Sequence, residues 1–133
     1  PAVIEKASIW FQRMTDRRYT RIVPPVDGTG EFSVIDRHER SKTPNQLSRG
    51  TKDQLYLALR FGLIESIVGQ GERLPVIVDE ALVNCDSARA KVAASAFAEL
   101  AQKNQVLVMT CHSWVRDLFV EASQDVQVVE LAP

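Results

Sequence analysis

Two short apolar runs separated by a helical pattern constrain this chain more than any other feature. Pro75-Val76-Ile77-Val78 and Gln105-Val106-Leu107-Val108-Met109-Thr110 carry no polar alternation, the pattern of strands buried in the middle of a parallel sheet. Between them Ala88, Val92, Ala93, Ala96, Phe97 and Leu100 recur at helical spacing and face inward, and Asp86 or Ser87 can cap that helix. Ser113 can cap a further helix to about Ala122, and Val126 to Leu131 reads as a final strand. Strand, helix, strand, helix, strand predicts an α/β fold with a mostly parallel sheet flanked by helices.

The chain upstream of these runs has a different texture. Val3, Ile4, Ala7, Trp10, Phe11 and Met14 recur at spacings of three and four, which predicts an amphipathic helix from Ala2 to Asp16. That stripe fits either core packing or the last turns of a coiled coil entering a globular head. Thr20 to Val26 and Glu31 to Asp36 are β-rich runs around Pro24, Pro25 and Asp27-Gly28-Thr29-Gly30, the pattern of a hairpin with a loose turn. A polar loop from Arg37 to Gln46 follows, with His38 among its solvated residues. Gln54 to Val68 is apolar almost all round and predicts a buried helix, ended by Gly69-Gln70-Gly71.

Composition narrows the class. At 133 residues and 45% hydrophobic content, the chain has material for one compact domain. Its net charge of -1 argues against a wholly basic nucleic-acid binder, but the charge is uneven: 10 Lys/Arg against 6 Asp/Glu up to Lys52, then 6 against 11. Any DNA contact is therefore expected in the first part, where Arg13, Arg17, Arg18 and Arg21 form either a solvated face or a backbone-contacting one. Cys85 and Cys111 lack zinc-site or disulfide spacing and read as thiols of a reducing cytosol. No apolar run approaches the roughly 18 residues of a membrane span, so a soluble, cytoplasmic protein is expected. The start at Pro1, directly in a helical pattern, fits a segment of something longer.

Three places carry chemistry. Val76-Ile77-Val78 delivers Asp79 and Glu80 to the carboxyl edge of a sheet, where open α/β folds bind ligands. Asp79 can hold Mg²⁺ through hard oxygen ligation, and Glu80 can orient or deprotonate a water attacking a γ-phosphate. Leu47-Ser48-Arg49-Gly50 sets Ser48 and Gly50 at the amino end of the long helix, where free N–H groups and the helix dipole attract anions. Arg49 adds positive charge there. His112 follows the second apolar strand and can reach the same sheet edge as Glu80, to donate to a phosphate oxygen or hold the attacking water. No G-x-x-x-x-G-K-[ST] occurs anywhere, and Gly28-x-Gly30 and Gly69-x-Gly71 read as turns.

In this order the motifs resemble the carboxyl-terminal lobe of ABC-type ATPase heads of the SMC, SbcC and RecF kind, most of all the YhaN-like group. Leu47 to Arg60 resembles the signature motif and its helix; Val76 to Glu80 resembles the Walker B strand with its catalytic glutamate. Ala81-Leu82-Val83-Asn84-Cys85-Asp86 is similar to a D-loop ending in aspartate, Thr110-Cys111-His112 to the switch histidine, and Ala2 to Arg21 to the returning coiled-coil arm. The chain departs from the family pattern at Ala81, Cys85 and Arg49.

The resemblance implies a single partial domain, residues 1–133: the carboxyl-terminal half of a P-loop NTPase head, with residues 1–19 ending the arm and 20–133 forming the lobe. It implies ATP and Mg²⁺ as ligands in a composite site, with the Walker A loop supplied by an amino-terminal lobe. Ser48, Arg49 and Gly50 would meet the γ-phosphate held by a second head, Asp86 would lie along that interface, Asp79 would hold the metal, and Glu80 and His112 would serve catalysis. The expected function is ATP-driven head pairing coupled to DNA, in double-strand break repair or recombination, with no ATPase from the fragment alone. Two alternatives stay open: an interaction module that kept the fold without the chemistry, and a DExx-type helicase core built on Asp79-Glu80-Ala81-Leu82, which leaves Leu47 to Gly50 unexplained.

Overall fold

The computed structural model describes residues 2–132, and the chain divides after Glu72 into two compact units. Composition allows one compact domain; the division follows from two separate buried clusters, each closed by its own helices.

In the first unit, α1 (Ala2–Met14) is followed by an antiparallel sheet of β1 (Tyr19–Val23), β2 (Ser33–Asp36) and β3 (Ser41–Lys42), in that order, then a 3₁₀ turn at Pro44–Gln46 and α2 (Arg49–Gly69). The third strand extends the expected hairpin. The apolar stripe of α1 is buried through Ala7, Trp10, Phe11 and Met14, against α2 and β1. Trp10 meets Phe61 edge to face at 5.0 Å, and Phe11 stacks on Tyr19 at 5.2 Å. Gln54 Nε2 donates to the Met14 carbonyl at 2.9 Å, which ties the end of α1 to α2. The helices approach so closely at Gly62 that a β-carbon there would lie 2.5 Å from the Val3 carbonyl oxygen. Asp16 and Arg17 take left-handed φ of 50° and 58°, while Arg17 N–H closes α1 on the Gln12 carbonyl.

α2 begins at Arg49 with Ser48 as its cap, which places Ser48 and Gly50 at its amino end as expected and five residues ahead of the apolar pattern. One expectation is corrected, for α2 is not buried all round: Thr51, Gln54, Leu55, Ala58, Phe61 and Gly62 line the covered face, while Tyr56 and Leu63 are about half exposed. Within this unit α1 covers one side of α2 only.

The second unit contains β4 (Val76–Asp79), α3 (Ser87–Leu100), β5 (Val106–Met109) and α4 (Ser113–Ala122). β4 and β5 pair in parallel, Val76 opposite Val106 and Asp79 opposite Met109, so both strands end at one edge. Leu82, Ala90, Ala94, Phe97, Leu100, Val115 and Phe119 form the buried cluster. Ala88 and Val92, expected to face inward, are exposed, and Ala90 and Ala94 take the inner positions. The strands are covered on one face rather than two, since Val78 is buried while Ile77 is 62% and Leu107 47% exposed. The final strand expected at Val126 to Leu131 does not form; it has no ladder partner among the described residues, and Leu131 is 89% exposed. No described helix is long and apolar enough to cross a membrane.

Candidate functional site

The shared edge of β4 and β5 gathers the reactive side chains. Glu80 N–H donates to the Met109 carbonyl at 3.1 Å, extending the ladder one residue beyond the strand. At that point Glu80 adopts φ +50°, a left-handed conformation seldom taken by residues other than Gly, Asn or Asp and concentrated at functional sites. Both of its carboxylate oxygens are engaged by the chain leaving β5. Oε1 accepts the Cys111 amide at 2.6 Å, Oε2 accepts the Thr110 hydroxyl at 2.9 Å, and Thr110 Oγ1 in turn accepts the His112 amide at 3.0 Å.

This cradle sets the electrostatics. The Cys111 amide is the main reason the Glu80 carboxyl lies below its ordinary pKa; the Cys111 side chain, the Thr110 hydroxyl and the charge of His112 act in the same direction, and burial opposes them. Glu80 is thus held as the carboxylate, the form that accepts a proton or orients a water. The Cys111 thiol is pushed up, first by its hydrogen bond to Glu80, then by burial and the Glu80 charge. One ligand-type atom from each of Glu80, Cys111 and His112 lies within 4.8 Å of the others. His112 stands at the N-cap position of α4 without capping it, and its ring is 6.1 Å from Trp114. The helix therefore starts at Ser113, which the sequence reading takes as the cap. The imidazole is exposed at the sheet edge.

Asp79, the last residue of β4, is exposed and offers a hard oxygen donor of the kind Mg²⁺ takes. Asp86 caps α3: its carboxylate accepts the Arg89 amide at 2.9 Å and pairs with the Arg89 guanidinium at 2.7 Å. The Arg89 amide is the leading cause of its lowered pKa. The structure thus brings Glu80 and His112 together and commits Asp86 to its own helix. Thr110 and Cys111 are the groups that sequence reasoning left without roles. An amide donor has no side-chain signature, but the spacing of Thr110 and His112 around a strand end was available as a signal.

Ser48, Arg49 and Gly50 belong to the first unit. Ser48 Oγ accepts the Thr51 amide at 3.2 Å and donates to Thr51 Oγ1 at 2.8 Å, while Lys52 N–H makes the first helical bond to the Ser48 carbonyl. The amides of Arg49 and Gly50 precede that first bond and lie where the dipole is positive. Of the arginines considered for DNA, Arg13 lies over the Trp10 ring at 4.8 Å, Arg18 donates to the Thr15 carbonyl, and Arg21 is 4.0 Å from Glu39.

This edge, the parallel pair and the helix order can be set against solved structures. An SMC ATPase described for ATP-driven dimerization and DNA-stimulated activation superposes with a TM-score of 0.71 at 18% identity, over 98% of this chain and 78% of that one. The chain shares the fold of part of an SMC head. The SMC head domain of Thermotoga maritima gives 0.65 at 20% identity over 92% of this chain and 40% of its own. The Smc head of Pyrococcus furiosus, bound to the C-terminal domain of ScpA, gives 0.66 at 20% identity over 92% of this chain and 30% of its own. The α/β architecture expected from the sequence is therefore present, in the fold of SMC head domains. In sequence, the uncharacterized Bacillus subtilis (strain 168) protein YhaN is 33% identical over 131 residues, covering 97% of this chain. The chain spans 13% of YhaN's length. No family model matches the chain.

Proposed function

We propose that this chain is the carboxyl-terminal lobe of an ATP-hydrolysing SMC-like head. The observation that carries the reading is the Glu80 carboxylate, clamped between the Thr110 hydroxyl and the Cys111 amide beside His112, at the edge where β4 and β5 end. A carboxylate fixed by two donors keeps lone pairs for a water and cannot swing away from it, so Glu80 positions and activates the nucleophile. His112 donates from its exposed ring to a γ-phosphate oxygen and stabilises charge that grows there during transfer. Asp79 would hold Mg²⁺, which would supply neutralisation of phosphate charge. Ser48, Arg49 and Gly50 present a positive helix end to the γ-phosphate of a nucleotide carried by a second head, and Asp86 borders that interface.

ATP and the Walker A loop come from an amino-terminal lobe, since the chain contains no P-loop motif. The exposed apolar faces of β4 and β5 are the surface that lobe covers. The basic excess up to Lys52 supports a DNA-coupled activity, one of the similar SMC ATPases is described as DNA-stimulated, and we assign that activity to repair or recombination. Co-expression with the amino-terminal lobe tests the proposal. ATPase that appears only in the complex and is removed by Glu80→Gln supports it; a complex that binds ATP without turnover makes the chain an interaction module instead.

A further inference from the structure

The loop that clamps Glu80 also assembles three chemically different metal donors. A carboxylate oxygen of Glu80, the Cys111 sulfur and an imidazole nitrogen of His112 lie within 4.8 Å of one another, and both Cys111 and His112 are exposed. A tetrahedral ion with Zn–N or Zn–O bonds near 2.0 Å and a Zn–S bond near 2.3 Å needs donors about 3.3–3.5 Å apart. The donors are therefore at most about 1.5 Å beyond ligating separation, a distance that rotation of two solvent-facing side chains closes. Glu80 need not move. Its two oxygens are already fixed by Thr110 and Cys111, and each retains a lone pair, as ligating carboxylates with hydrogen-bonded supports do.

The geometry points to a binding site for a borderline-soft divalent cation such as Zn²⁺, formed by Glu80, Cys111 and His112 at the end of β5. Thiolate and imidazole select Zn²⁺ or Co²⁺ over Mg²⁺, which prefers oxygen-only shells. Cys111 binds as the thiolate, and its proton passes to solvent. Three protein donors leave a fourth position for water. A metal held there takes the Glu80 carboxylate away from the attacking water, so Zn²⁺ opposes ATP hydrolysis; that consequence alone rests on the function proposed above.

Binding is tested on the chain by itself, with neither nucleotide nor second lobe, so its failure leaves the ATPase reading standing and the reverse also holds. Titration with Co²⁺ is expected to give a thiolate-to-cobalt absorption band saturating at one ion per chain, displaced by Zn²⁺ and not by excess Mg²⁺. Cys111→Ser abolishes the band. In competition against a chromophoric chelator, Cys111→Ser and His112→Ala each weaken Zn²⁺ binding by at least about 10-fold, since loss of a mere supporting hydrogen bond already costs 10–100-fold. Glu80→Gln weakens it likewise, while Cys85→Ser leaves it unchanged. No thiolate band, or a band that survives Cys111→Ser and disappears in Cys85→Ser, overturns the assignment. Circular dichroism of each variant confirms that the fold is kept.

Discussion

Replacing Gly62 by alanine is the sharpest perturbation of the first unit. The added β-carbon would lie 2.5 Å from the Val3 carbonyl oxygen, 2.8 Å from Ala7 N and 2.9 Å from Ala7 Cβ, where ordinary contact begins at 3.4 Å. Two of these neighbours are backbone atoms of α1 and cannot rotate aside, so α1 must retreat from α2 by somewhat under 1 Å. A gap of that size forfeits roughly a quarter to a half of each dispersion contact across it, and the Trp10–Phe61 edge contact and the Gln54 bond to Met14 lie on the same seam. Overpacking of this kind costs about 1–3 kcal/mol, and the better helix propensity of alanine returns up to ~1 kcal/mol. With the full return the net loss is about 0–2 kcal/mol, or up to roughly 16 °C in the melting temperature of a unit this size. Thermal and urea unfolding followed by Trp10 fluorescence, in a Trp114→Phe background, reads the first unit alone. Gly69→Ala is the control, because its β-carbon meets only the flexible Lys6 Nζ at 3.5 Å; there the propensity gain stands and the unit gains up to ~1 kcal/mol. A Gly62→Ala midpoint at or above that of Gly69→Ala would refute the close helix approach.

Ser48→Ala is expected to lower stability by about 1 kcal/mol through loss of the cap on α2, whereas Ser48→Asp keeps the cap but repels phosphate; calorimetry and ATP-dependent head pairing separate the two effects. Acid sensitivity follows from Asp36, Glu80 and Asp86, all held below their ordinary carboxyl values. The leading causes are the amides of Arg40, Cys111 and Arg89 respectively. Because each folded-state value lies below the unfolded one, their contribution is complete above about pH 5 and is lost as pH falls through the depressed values. Asp36→Asn is expected to flatten that acid limb in pH-dependent melts of the first unit. Cys111 is expected to alkylate more slowly than an ordinary exposed thiol at neutral pH, and faster in Glu80→Gln, because the neighbouring carboxylate opposes thiolate formation; peptide mass spectrometry after brief iodoacetamide treatment measures it.

Legibility in the sequence varied with the physical source of each feature. β4, β5 and the helix between them are written as apolar runs and 3.6-residue spacing, and those signals survive because they reflect burial directly. Ser48 and Asp86 announced their caps through side-chain chemistry. The shape of the Glu80 cradle was not readable, because the Cys111 amide that dominates it is backbone and the left-handed turn at Glu80 has no glycine to mark it. The half-exposed strands and α2 misled for a related reason: apolar composition reports that a surface wants cover, not whether these residues supply it. Val126 to Leu131 has strand composition and no ladder to join. Gly62 carried a signal that went unused, since an isolated glycine within a helical pattern marks a close approach.

The role of Glu80 is tested most directly by steady-state ATP hydrolysis of this chain paired with an amino-terminal lobe, comparing wild type with Glu80→Gln at equal occupancy by ATP. Turnover is expected in the pair and in neither half, with a fall of about 100-fold or more in Glu80→Gln and ATP binding retained. Hydrolysis by the pair that is indifferent to Glu80→Gln would contradict that role.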